Sequence, residues 1–176
     1  ASGNYSQASG YQANASAESA IAIGPNAGAS GASSTSIGAS AKAAKQGSIA
    51  VGHLANADAE RSISIGSGST ANGSCSMALG WNANATATNA IAIGHTANAV
   101  GINSTAMGTS AQAEATYASS YGTLANASGI ASMAFGAGAI ASETASIAHG
   151  VNSTASGANS STFGTAANAT AEDAIA

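Results

Sequence analysis

The chain has 176 residues, a formal net charge of −4 and only 6% charged side chains, and it is rich in alanine, serine, glycine, asparagine and threonine. Its three basic residues cannot form a patch that neutralises nucleic-acid phosphates or binds an anionic membrane surface, so both are excluded as partners. No apolar run approaches the ~18 residues needed to span a bilayer. The single cysteine excludes an intrachain disulfide framework.

A glycine recurs every fourteen residues along the whole chain, and the other positions are phased to it. Five residues after each of these ladder glycines stands an alanine, and the positions two before and three after are always small. A period this strict is typical of a solenoid, in which each repeat forms one rung that packs on its neighbours. The ladder glycines are Gly10, Gly24, Gly38, Gly52, Gly66, Gly80, Gly94, Gly108, Gly122, Gly136, Gly150 and Gly164.

The rung from Asn89 to Ile102 shows the predicted elements in order. Residues 91–93 alternate apolar, small and apolar, as a half-buried strand does, and Gly94 ends this first strand. After a two-residue turn, residues 97–100 form a second alternation with alanine on one side. Two strands of about five residues and two short turns account for the repeat. The pattern predicts an all-β fold, a parallel β-roll built as a solenoid of 14-residue two-strand rungs.

The consistently apolar positions are predicted to form the interior of the roll. Bulky side chains of the first strand would face alanines of the second strand across a thin interior. Large side chains on one wall and small ones on the other would then fill it without voids. The predicted core residues are Ile49, Val51, Ile63, Ile65, Met77, Leu79, Ile91, Ile93, Ala97 and Ala99.

The serine and alanine positions of the first strand are predicted to lie on its outer face. A solvated face has no reason to exclude Lys, Glu and Gln at every rung, whereas a face packed against another surface does. The pattern therefore predicts that this strand packs against copies of itself around a symmetry axis, the alternative being a plain solvent face. The residues predicted to form this interface between copies are Ser48, Ala50, Ser62, Ser64, Ser76, Ala78, Ala90, Ala92, Ser104 and Ala106.

The rung from Asn89 to Ile102 also resembles a motif of known adhesins. The run Asn89-Ala90-Ile91-Ala92-Ile93-Gly94-His95-Thr96-Ala97 is similar to the Asn-Ser-Val-Ala-Ile-Gly-x-x-Ser repeat of the YadA-type head in trimeric autotransporter adhesins of Gram-negative bacteria, and residues 47–52 and 103–108 are near-copies. The resemblance implies a left-handed parallel β-roll assembled as a homotrimer, at the bacterial cell surface above the outer membrane. Because the repeat is in phase at Ala1 and is cut within a rung at Ala176, we expect residues 1–176 to be a single head domain, a fragment without its neck, stalk and membrane anchor.

The resemblance implies a non-catalytic adhesin head. Family heads bind host matrix proteins such as collagen, fibronectin or laminin, or mediate autoagglutination, so these partners are expected here, and no cofactor is. The alternative is a structural spacer or self-association module with no host ligand. An ice-binding solenoid is disfavoured because the outer positions of the second strand do not repeat threonine.

Three residues are candidate ligand contacts: Trp81, His95 and Asn98. Trp81 and His95 directly follow consecutive ladder glycines and are expected to lie side by side as an aromatic hot spot, unless Trp81 covers a neighbouring subunit. His149 stands in a bulky apolar column, which predicts a core histidine, the alternative being a pH-sensitive or ion-binding position on the trimer. The three histidines lie on separate rungs, so no metal site and no catalytic site is expected.

Overall fold

The computed structural model describes residues 1–176 as an all-β parallel solenoid. The chain divides into two compact units, Ala1–Asn89 and Ala90–Ala176, with six rungs each. Each rung contributes one three-residue strand and one two-residue strand, both shorter than the sequence predicts. The predicted solenoid of two-strand, 14-residue rungs is confirmed.

The strand bounds repeat with the fourteen-residue period in both units. The strands of the first unit are β1 (Gln7–Ser9), β2 (Asn14–Ala15), β3 (Ile21–Ile23), β4 (Gly28–Ala29), β5 (Thr35–Ile37), β6 (Lys42–Ala43), β7 (Ile49–Val51), β8 (Asn56–Ala57), β9 (Ile63–Ile65), β10 (Thr70–Ala71), β11 (Met77–Leu79) and β12 (Asn84–Ala85). The strands of the second unit are β13 (Ile91–Ile93), β14 (Asn98–Ala99), β15 (Thr105–Met107), β16 (Gln112–Ala113), β17 (Ser119–Tyr121), β18 (Asn126–Ala127), β19 (Met133–Phe135), β20 (Ile140–Ala141), β21 (Ile147–His149), β22 (Thr154–Ala155), β23 (Ser161–Phe163) and β24 (Asn168–Ala169).

Each unit contains two parallel sheets, one on each side of the roll. The three-residue strands form the first sheet, in the order β1-β3-β5-β7-β9-β11 in the first unit and β13-β15-β17-β19-β21-β23 in the second. The two-residue strands, which carry even numbers, form the second sheet in the same sequential way. Pairing is in register with the repeat, as where Val51 lies opposite Ile65 and Ala71 opposite Ala85. Equivalent positions of successive rungs therefore stack into columns.

Both turns of the rung use left-handed backbone. Positive φ angles recur two and nine residues after each ladder glycine, as at Thr96 (φ 51) and Asn103 (φ 57). The ladder glycines themselves also have positive φ, which is 136 at Gly52, where an added Cβ would lie 2.6 Å from the carbonyl oxygen of Gly66. The ladder position is glycine because both its backbone conformation and the close approach of the next rung exclude a side chain.

The interior of the roll is thin and lined by small side chains. Except in the terminal rungs, the buried columns lie four and two residues before the ladder glycine and three and five residues after it. Ser36 Oγ donates to the carbonyl oxygen of Ala41 at 2.7 Å, and the hydroxyls of Ser64 and Ser69 are 2.7 Å apart. The gap between the two sheets is thus spanned by one serine hydroxyl that reaches a backbone carbonyl, or by two serine hydroxyls that meet. The largest fully buried side chain is Thr162.

The structure reverses the predicted inner and outer faces of the first sheet. The bulky residues predicted as core are only partly buried, with Ile65 at 42% exposure: Ile49, Val51, Ile63, Ile65, Met77, Leu79, Ile91 and Ile93. The residues predicted as trimer interface are all fully buried inside the chain: Ser48, Ala50, Ser62, Ser64, Ser76, Ala78, Ala90, Ala92, Ser104 and Ala106. Both predictions were wrong together, because in a strand a change of phase by one residue exchanges the two faces.

The physical reason for the reversal is the distance between the sheets. An interior that a single serine oxygen bridges has no room for isoleucine, so the first strand must direct its small residues inwards. The alternation of the strand then places the bulky residues outside. On the second sheet the prediction was right: Ala97 and Ala99 are both 0% exposed.

Candidate interaction surfaces

The outer face of the first sheet is an apolar surface built from two columns, three and one residues before each ladder glycine. We call these two columns the apolar face. Ile23, Ile37 and Ile65 on it are 41%, 37% and 42% exposed. Neighbouring rungs in a parallel sheet are about 4.8 Å apart, so these side chains form a close-set, flat patch. In the first unit the apolar face comprises Gln7, Ser9, Ile21, Ile23, Thr35, Ile37, Ile49, Val51, Ile63, Ile65, Met77 and Leu79.

In the second unit the apolar face becomes aromatic in one of its columns. Tyr121 and Phe135 stack with ring centroids 4.8 Å apart and an interplanar angle of 2°. His149 follows, 6.1 Å from Phe135 and 6.2 Å from Phe163. His149 is exposed on this face, so the prediction of a core histidine was wrong for the same reason as that of the isoleucines. The face here comprises Ile91, Ile93, Thr105, Met107, Ser119, Tyr121, Met133, Phe135, Ile147, His149, Ser161 and Phe163.

The outer face of the second sheet is polar by contrast. Lys42 Nζ lies 3.0 Å from Asp58 Oδ2, with both side chains partly in solvent, and Asn56 Nδ2 donates to Asn72 Oδ1 at 3.2 Å. The apolar face holds no Asp, Glu, Lys or Arg in either unit, whereas this polar face holds charged and amide groups that water solvates. The two outer faces therefore suit different surroundings, and only the polar one is suited to water.

The predicted ligand contacts lie on the turns and on the second sheet. Trp81 is 51% exposed and belongs to the first unit. His95, in the second unit, is exposed at the turn, where Thr96 Oγ1 donates to its carbonyl oxygen at 2.8 Å. Asn98 is half-buried on β14, opposite Gln112. Each residue reaches the surface of its own unit, and the side-by-side placement of Trp81 and His95 stays a prediction.

No enclosed site accompanies these surfaces. The structure contains no pocket and no group of three or more His, Cys, Asp or Glu side chains that could hold a metal ion. It contains no helix with the length and apolar character that crossing a membrane requires. The features with candidate functions are therefore the apolar face, the polar second sheet and the turns.

The apolar face is the feature that the sequence interpretation missed, although the sequence contains a signal for it. The four buried columns hold only alanine, serine and threonine. The two columns predicted as core also hold Gln7, Ser9, His149 and Phe163. A close-packed interior does not tolerate such a range of size and polarity in one column, whereas an outer surface does. The variation in side-chain volume was the better guide to which face is inside.

Comparison with known proteins identifies the family of this repeat. The family described as "YadA head domain repeat (2 copies)" matches residues 1–27, 29–55, 44–69, 57–83, 71–97, 99–125 and 127–153. No curated protein matches the chain. The crystal structure of the collagen-binding domain of the Yersinia adhesin YadA is similar at 21% identity and a TM-score of 0.29, over 89% of this chain and 79% of that chain. Because the family matches together cover far more than half of its residues, this chain belongs to the YadA head domain repeat family.

Proposed function

We propose that this chain is the non-catalytic head of a bacterial surface adhesin, which assembles as a homotrimer through its apolar face and attaches to host matrix proteins. Membership of the YadA head family supports an adhesin-type role. The observation that carries the assembly step is the apolar face, where half-exposed Ile, Val, Leu, Met and aromatic side chains occur without any Asp, Glu, Lys or Arg. Assembly would remove this surface from water.

Further copies of the chain are the partners that suit the apolar face. It presents the same pair of columns at every rung, and an identical copy offers the same surface with the same spacing. Interfaces between identical subunits are more apolar than transient ones, and closed cyclic symmetry covers the equivalent face of every copy. The trimeric number follows the family resemblance. The interface proposed from the sequence is thus kept, but its residues are the bulky columns and not the serines and alanines.

Two isoleucines of nearly equal exposure provide a matched test of this assembly. Ile65 on the apolar face is 42% exposed, and Ile140 on the outer face of the second sheet is 41% exposed. Light scattering should give the wild type a mass of about three times 16.3 kDa. Ile65→Asp should be a folded monomer, because assembly would bury an unpaired carboxylate, while Ile140→Asp should remain trimeric. A monomeric wild type, or the same mass for both variants, would contradict the proposed interface.

The surfaces that such a trimer leaves free are the turns and the second sheet, and we propose that these contact the host ligand. Each trimer presents three copies of every contact, so weak individual contacts would add up through multivalency. Collagen, fibronectin and laminin are the proposed ligands, and pairing of heads on neighbouring cells would give autoagglutination. Trp81, His95 and Asn98 remain the proposed contact residues, with Trp81 as the aromatic anchor because large aromatic side chains dominate binding hot spots.

Surface plasmon resonance over immobilised collagen, fibronectin and laminin tests the ligand contact. Trp81→Ala should weaken binding to one of them by about tenfold. Tyr11 is the control, because it also directly follows a ladder glycine and is 74% exposed; Tyr11→Ala should leave the affinity unchanged. Equal losses for the two variants would remove the specific role of Trp81.

A structural spacer is the second candidate function. The sparsely charged surface and the absence of any pocket favour it, because a spacer needs only a rigid repeated body. A wild-type trimer that binds none of the three matrix proteins would support the spacer and contradict the host-ligand proposal. Both functions predict the same trimer mass, so only the binding measurement distinguishes between them.

A further inference from the structure

The aromatic column of the second unit contains one imidazole among its phenyl and phenol rings. His149 on β21 lies between Phe135 on β19 and Phe163 on β23. The interactions that its imidazole makes within the chain are the contacts with these two rings. The strands packed against β21 are β19, β23, β20 and β22, and none of them contains a titratable side chain. No carboxylate on these elements is therefore present to compensate a proton on His149.

We propose that His149 makes association through the apolar face sensitive to acid, a regulatory role that rests on the proposed homotrimer. Imidazole is the side chain that ordinarily changes charge between about pH 5 and 8. In a separate chain His149 is exposed, and water solvates either form. In the trimer the face is covered, and burying a charged imidazole without a partner is unfavourable. Symmetry also brings three equivalent charges towards one another.

The direction of the effect follows from proton linkage. The assembled state binds fewer protons at His149 than the separate chains do, so association weakens as the pH falls through the imidazole range. Attraction between a protonated imidazole and the rings of Phe135 and Phe163 does not reverse this sign. Both rings belong to the same chain as His149, so that attraction is already present before assembly. Only its increase on desolvation enters the equilibrium, and this increase is smaller than the cost of burying an unpaired charge.

The trimer-to-monomer transition on heating, followed by light scattering at pH 7.5 and pH 5.5, tests this role. Ordinary carboxylates, with pKa values near 4, stay ionised over this interval, so a histidine effect stands out. The wild-type midpoint should fall by about 5 °C or more at the lower pH. His149→Phe should lose this fall, since phenylalanine already occupies the same column at Phe135 and Phe163. His53→Gln, which changes an exposed histidine on a turn away from the apolar face, should keep it.

The outcomes separate this inference from the assembly on which it rests. A wild type that is monomeric at pH 7.5 contradicts the proposed trimer, and the role of His149 falls with it. A wild type that is trimeric but has the same midpoint at both pH values overturns only the role of His149. The same holds if His149→Phe is as sensitive to acid as the wild type.

Discussion

The most direct test of the architecture is to enlarge one side chain on each face of the same strand. Ala50 and Val51 are neighbours on β7. Ala50 is fully buried, in a cluster with Ala41, Ala43, Ala55 and Ala57. Val51 is half-exposed on the apolar face. The two substitutions are Ala50→Leu and Val51→Leu, which introduce the same side chain at adjacent positions that point in opposite directions.

The magnitude of each effect follows from the space available. Leucine has three more carbon atoms than alanine, and the equivalent columns one rung away are separated by a single hydrogen bond of 2.7 Å from Ser64 to Ser69. We therefore expect Ala50→Leu to cost about 3 kcal/mol of unfolding free energy, the upper end of the usual range for overpacking. Val51→Leu should cost less than about 1.5 kcal/mol, because it adds one carbon in a column that accepts side chains of different size, even where other copies cover it. Leu79 already occupies the same column.

Chemical denaturation followed by circular dichroism gives both free energies. All variants need the same protein concentration, because self-association shifts apparent stability with concentration. The slope of the transition should stay unchanged while the midpoint of Ala50→Leu falls. Equal losses for the two variants, or a larger loss for Val51→Leu, would show that the small columns are not the interior.

Two further pairs of substitutions test the rung in finer detail. Gly52→Ala should cost more than about 1 kcal/mol, because the φ of Gly52 is +136 and the new Cβ would lie 2.6 Å from a carbonyl oxygen of the next rung. Gly28→Ala should be neutral or slightly stabilising, because the new Cβ has no atom within 4 Å. Equal melting temperatures for Gly52→Ala and Gly28→Ala would contradict the requirement for glycine at the ladder position. Ser64→Ala should cost about 1 kcal/mol in urea denaturation, because it removes the hydrogen bond to Ser69. Ser120→Ala, in the same column, removes a buried hydroxyl without a partner and should be neutral or stabilising; the opposite order would refute this account.

The repeat itself could be predicted because it depends only on local spacing. A fourteen-residue period, a two-residue alternation and a glycine at the end of each first strand are all visible in the sequence, and together they predict stacked rungs in register. The strand lengths were harder to predict. The left-handed turn positions hold residues such as Leu54 and Arg61, with φ of 57 and 54, whose type does not indicate such a conformation. Glycine and asparagine occupy these positions in other rungs, as at Gly47, Gly68 and Asn103, and they are the available signal.

The orientation of the first strand could not be derived from its alternation alone. Period two separates the residues of a strand into two sets but does not state which set is buried. The usual rule that bulky apolar residues are buried selected Ile63 and Ile65, and it was wrong because it ignores the distance between the sheets. That distance depends on both walls of the roll at once, so it is a tertiary quantity. The same error affected His149, which was predicted to be buried because it lies in the same column as Ile65.

The thin interior also connects folding to assembly. Alanine and serine bury little apolar surface, and hydrophobic stabilisation is roughly proportional to buried apolar area, at about 25 cal/mol per Å². The larger side chains of the apolar face, such as Ile23, Ile37 and Phe163, remain 41%, 37% and 63% exposed in the single chain, and turn residues such as Leu54 and Leu124 are 54% and 64% exposed. The apolar face therefore holds a contiguous share of the hydrophobic stabilisation still available to the chain, and only a partner can provide it. If copies cover that face, association and stability are coupled, and a change such as Ile65→Asp acts on both.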